Sequence, residues 1–103
     1  MYKLAFFVPD THAEAVKEAV FATGAGAIGD YDRCCFTTQG IGQFRPSAEA
    51  NPFLGRMGET EYVSEQRIEM VCADALIHQA IAALKQAHPY EEVAYDVFPL
   101  ADL

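Results

Sequence analysis

The chain has 103 residues, with 7 lysines and arginines against 15 aspartates and glutamates and a formal charge of −8. Hydrophobic residues make up 51% of it, enough for one compact domain over residues 1–103, yet no apolar run approaches the roughly 20 residues that cross a bilayer, which argues against a membrane-spanning segment. So acidic a surface repels a phosphate backbone, because nucleic-acid affinity comes mainly from lysine and arginine displacing counterions, so no nucleic-acid partner is expected.

The three cysteines include the adjacent pair Cys34 and Cys35 and form neither a paired framework nor a Cys-x-x-Cys zinc spacing. With no charged, apolar and small-residue zones at the amino end, a reduced, cytoplasmic protein is expected. The charge is uneven: residues 1–46 hold four basic and five acidic side chains, residues 47–103 three basic and ten acidic.

Residues 2–8, Tyr-Lys-Leu-Ala-Phe-Phe-Val, are aromatic and aliphatic and run into Pro9, which predicts a buried first strand. Thr11 and Glu14 have capping-box spacing, and Ala13, Val16, Ala19, Val20 and Thr23 recur at helical spacing until Gly24, which predicts the first helix. Arg33 to Gln39 alternates, with Cys34, Phe36 and Thr38 on one face, and predicts a second strand in which Cys34 acts as a small hydrophobe. Gly40 to Gly58, with four glycines and two prolines and no period, reads as a long loop. Glu59 to Cys72 alternates again: Glu59, Glu61, Glu65, Arg67 and Glu69 share one face, opposite Tyr62, Ile68, Met70 and Cys72. Such a row suits a metal-collecting strip or a basic partner, but is ordinarily the solvated face of a strand, where it discourages edge aggregation. Asp74 is placed to cap a second helix with the stripe Ile77, Ala80, Ile81 and Leu84, ended by Pro89, and Val93 to Leu100 reads as the fourth strand.

The order strand, helix, strand, strand, helix, strand predicts an α+β, ferredoxin-like split βαβ (βαββαβ): a four-stranded antiparallel sheet with two helices on one face. The other face carries apolar groups such as those of the first and fourth strands. In so short a chain its expected cover is another copy of the chain.

Four phrases carry a resemblance: Gly-Ala-Gly-Ala-Ile-Gly-Asp-Tyr-Asp (24–32), Gly-Ile-Gly-Gln-Phe-Arg-Pro (40–46), Asn-Pro-Phe-Leu-Gly (51–55) and His-Pro-Tyr-Glu-Glu-Val-Ala-Tyr-Asp (88–96). Together they resemble the insertion domain of the Nif-three-like proteins, in the same order and from Val8 to Leu100, with Cys35 standing where the family usually has serine. The resemblance implies a fold like that of the PII signalling protein and CutA, trimers formed by joining sheets side by side, and a dimer through the open face as the alternative. The larger α/β domain that holds the family's two-metal centre is not among these residues. The resemblance therefore implies a standalone insertion domain and does not bring the family's enzyme label with it.

Two candidate sites follow. Gly40, Gly42, Arg45 and Asn51 lie where PII carries its partner-binding loop, and glycine amides beside an arginine suit a small anion; Tyr90 joins them as a ligand-binding candidate. His88 with Glu92 and Glu61 offers imidazole and carboxylate for a divalent metal, the alternative being that His88 only bonds the last carbonyls of its helix. His12 and His78 read as surface residues, and no nucleophile is spaced against a base. These observations favour a small oligomeric binding or regulatory module, taking a small ligand, a metal or a protein partner between subunits. A metal-dependent hydrolase using His88 is the alternative.

Overall fold

A computed structural model describes all residues from Met1 to Leu103. The elements are β1 (Tyr2–Pro9), a 3-10 turn (Asp10–His12), α1 (Ala13–Phe21), β2 (Phe36–Phe44), β3 (Glu61–Cys72), a second 3-10 turn (Asp74–Leu76), α2 (Ile77–Ala87) and β4 (Tyr95–Pro99). The sheet order is β2-β3-β1-β4, and every neighbouring pair is antiparallel. Each helical crossover therefore skips one strand, which is the ferredoxin-like topology expected from the element order.

Register explains which side chains the helices cover. Leu4 faces Met70 and Phe6 faces Ile68, so the even positions of β1 and β3 share one face with Val97 and Tyr95 of β4. Leu4, Phe6, Val8, Ile68, Met70 and Cys72 are fully or almost fully buried there. Val16 and Val20 of α1 and Ile77, Ala80 and Leu84 of α2 close over them as one core. The helical stripes read from the sequence are thus the buried ones. Gly24, at φ +99°, turns the chain out of α1, and a side chain there would press on Leu76.

Three local expectations are corrected. The loop begins after Phe44 rather than at Gly40, because residues 40–44 continue β2 and pair with β3 from Gly40↔Glu65 to Phe44↔Glu61. Both strands thus run past Pro9, where β1 ends opposite Glu65, and the pair projects as an arm from a molecule measuring 46 × 24 × 23 Å. Neither predicted cap forms: Thr11 Oγ1 bonds His12 Nδ1, and the Asp74 carboxylate takes the Met1 ammonium. Finally, Phe36 and Thr38 lie on the uncovered sheet face and are exposed, while Cys34 precedes β2 and bonds the Asp32 carbonyl instead of packing in a core.

A candidate ligand cleft over Glu65 and Tyr90

The site begins where α2 ends. His88 stops the helix, its N–H still donating to the Leu84 carbonyl, and Pro89 turns the chain back toward the end of β1. There Phe7 N–H donates to the Ala94 carbonyl at 3.1 Å, so the 88–94 segment continues alongside β1 before β4 begins. His88, only 6% exposed, does not bond the helix carbonyls as the simpler reading expected. Its Nε2 donates to the Phe7 carbonyl at 2.8 Å and its Nδ1 accepts the Tyr90 N–H at 3.1 Å, which fixes the neutral imidazole with its proton on Nε2. Burial pushes its pKa below the usual histidine range, outweighing the Phe7 bond and the Glu65 charge.

This anchoring sets Tyr90 between the rings of His88, at 4.9 Å, and Phe44, at 5.8 Å. The Tyr90 hydroxyl donates to Glu65 Oε2 at 2.8 Å. Burial, then the bond and charge of Glu65, raise the Tyr90 pKa well above the phenol range, so it remains a donor at any ordinary pH. Glu65 is 9% exposed, although its row on β3 reads as a solvated strip. Its carboxylate lies over Gly42 on the neighbouring strand, where any side chain would collide with it. Beside it, Gln39 Nε2 reaches the Glu65 carbonyl at 3.0 Å together with Asp10 and Ser64. Bonds from Gln39 and then Ser64 hold the Asp10 carboxyl below its ordinary range.

Above this floor the loop 45–60 folds back to enclose a cleft of about 400 Å³. Three contacts hold the loop: Pro46 is buried and its carbonyl accepts the Gly58 N–H at 2.8 Å, Asn51 N–H donates to Glu91 Oε1 at 2.8 Å, and Phe53 meets the His12 ring edge at 5.3 Å. The walls are apolar and aromatic, from Phe44, Pro46, Pro52 and Phe53, while Glu65, Glu91, Glu92 and Arg45 supply the charge. That volume lies within the range of small-molecule sites.

The residues singled out in the sequence are only partly brought together. Tyr90, Arg45 and Glu92 line the cleft. Gly40 and Gly42 stand in the β2 ladder, Gly42 under a carboxylate, and the Asn51 amide is taken by Glu91, so the glycine cradle for an anion does not assemble. The metal set does not assemble either. No three histidine, cysteine, aspartate or glutamate side chains converge as a ligating group, both nitrogens of His88 are engaged, and Glu61 sits against Gly55 at the base of the loop. In the sequence Glu65 stands out only as one of a charged row and Phe44 only as a loop residue, and the signal that joins them, the glycine two places before Phe44, has meaning once β2 and β3 are in register.

Four antiparallel strands backed by two helices, with a two-stranded arm and a cleft at its base, define a CutA-like ferredoxin fold. CutA1 from Pyrococcus horikoshii superposes over 100% of this chain and 86% of its own, at TM-score 0.71 and 16% identity, a likeness of fold alone. No family model matches the chain. A GTP cyclohydrolase 1 type 2 homolog of Halalkalibacterium halodurans is 45% identical over 102 residues, 99% of this chain and 27% of the relative. A Bacillus cereus protein related to NIF3 superposes at TM-score 0.83 with 44% identity, over 98% of this chain and 26% of that one. The chain is thus homologous to one segment of the Nif-three-related proteins, as its four phrases suggest, and spans about a quarter of the length of these relatives.

Proposed function

We propose that the chain is a small cytoplasmic binding or regulatory module that takes a small ligand in the cleft over Glu65 and Tyr90 and assembles with copies of itself. The observation that carries this reading is the build of the cleft. Its floor is a bonded chain from the Phe7 carbonyl through His88 and Tyr90 to Glu65, and its cover is a loop pinned at three points. A surface that served only to close the fold needs no buried carboxylate, whose desolvation is costly. A preformed apolar cleft with few fixed polar groups is the usual form of a small-molecule site.

The hydrolase alternative draws no comparable support. CutA neighbours from Archaeoglobus fulgidus and Thermus thermophilus are named for divalent cation tolerance. Here the donor set does not suit a metal, because His88 spends one nitrogen on a carbonyl and the other on an N–H. Ser47, the one serine, threonine or cysteine at the cleft, forms no side-chain hydrogen bond to a base, and the cyclohydrolase name of the longer relatives is not extended to this chain.

A thermal-shift panel of amines, carboxylates, nucleotides and divalent metals tests the proposal. A ligand present at 100 times its Kd stabilises by about 2.7 kcal/mol, which for a domain of this size raises Tm by roughly 10 °C or more. At least one compound class is expected to do so, with the shift lost in Tyr90→Ala. A panel that leaves Tm unmoved throughout contradicts the proposal.

A further inference from the structure

From the geometry of its floor, we infer that the cleft selects an organic cation, a compound with an ammonium, amidinium or guanidinium group on an apolar body, with Glu65 as the recognising carboxylate. This inference rests on the reading of the cleft as a ligand site and adds the charge of the ligand.

The argument starts from what Glu65 lacks. A buried carboxylate is normally matched by a cation, because hydration is lost and must be replaced. Glu65 has instead one neutral donor, the Tyr90 hydroxyl, on Oε2; Oε1 accepts no hydrogen bond from the chain and no lysine or arginine pairs with either oxygen. Arg67 lies two residues along the same face of β3, but it turns to Glu69 at 3.6 Å and over the Phe7 ring at 5.5 Å. Oε1 lies over Gly42, where the missing side chain leaves it room and solvent reaches it.

The surroundings point the same way. Glu91 and Glu92 stand at the same cleft, against the single cation Arg45, which is exposed and forms no ion pair. The rings of Phe44 and Phe53 line the cleft beside these carboxylates and suit a cation, and Pro46 and Pro52 accommodate its apolar part. An anion would meet three carboxylates and one exposed arginine. A cation meets the opposite balance and supplies the partner that Glu65 is missing.

Benzamidine, benzyl alcohol and benzoate, similar in size and of positive, zero and negative charge, test this on the unmodified chain by amide chemical-shift titration. Benzamidine is expected to bind at least tenfold more tightly than benzoate, to perturb Tyr90 and Phe44, and to weaken as salt rises. In Glu65→Gln, which keeps an acceptor for the Tyr90 hydroxyl, its affinity falls tenfold or more, while Glu59→Gln leaves it unchanged. Benzoate binding as well as benzamidine, or benzamidine binding undiminished in Glu65→Gln, overturns the inference but leaves the cleft a ligand site. No binding by any of the three overturns the inference and counts against the cleft as well. If Glu65→Gln fails to fold, the comparison of the three probes still decides the charge.

Discussion

His88 shows how one side chain can organise a site without acting in it. An imidazole with a carbonyl on one nitrogen and an N–H on the other serves only as the neutral form: a proton on Nδ1 would set two N–H groups against each other. The folded pKa lies below the ordinary value of 6.5, so between these two values the unfolded chain binds the proton and the folded one does not. Stability is therefore expected to be full above about pH 7 and to fall as pH drops through 6.5, by an amount that His88→Gln removes. Urea unfolding at pH 7.5 and 5.5 measures it, and an equal pH dependence in wild type and variant contradicts the assignment. The sequence made His88 conspicuous through the following Pro89, but its partner is the carbonyl of Phe7, at the far end of the chain. Nothing in local spacing reports such a contact. Glu65 was hidden for a related reason: alternation placed it correctly on the uncovered face of β3, and alternation cannot say that Tyr90 comes over to bury it.

At the scale of elements, the buried strands and both helical stripes were legible because period and burial agree in them. Leu4, Phe6 and Val8, and likewise Ile77, Ala80 and Leu84, announce the face they bury. Residues 40–44 carry no such signal. Gly-Ile-Gly-Gln-Phe has strand-breaking composition, and it is a strand because β3 offers it a ladder and because Gly42 makes room for Glu65. A glycine in a strand commonly marks a close approach, and here the approaching group is a carboxylate. Gly42→Ala is expected to force Glu65 off its seat at a cost of about 1–3 kcal/mol, as overpacking usually does, and to weaken ligand binding at the cleft. Equilibrium unfolding together with the Tyr90 chemical shift checks this; unchanged stability and an unmoved Tyr90 would show that Glu65 is not held against Gly42.

Across the whole molecule, the apolar groups left outside the core are concentrated on the sheet and its arm. Phe36 and Phe98 are exposed on the face opposite the helices, and Ile41 and Tyr62, at 77% and 65% exposure, stand on the other face of the arm. β2 is also an unpaired edge without lysine or proline to protect it. Such a surface calls for a cover of about 800 Å² per copy, and the proposed cover is further copies of the chain, joined side by side as a trimer, with a dimer through the open face as the alternative. Sedimentation equilibrium at micromolar concentration is expected to give about three times the chain mass of 11.3 kDa, and Ile41→Lys is expected to lower it. A mass that stays at one chain as concentration rises contradicts self-association, and twice the chain mass favours the dimer.

The most direct test of the account is where a ligand lands. For whichever compound gives the largest thermal shift, the amide perturbations should cluster on residues 43–54, on Glu65 and on residues 90–94, with Tyr90 among the largest. Perturbations confined to the arm, or to the open face around Phe36 and Phe98, would contradict the cleft as the binding site.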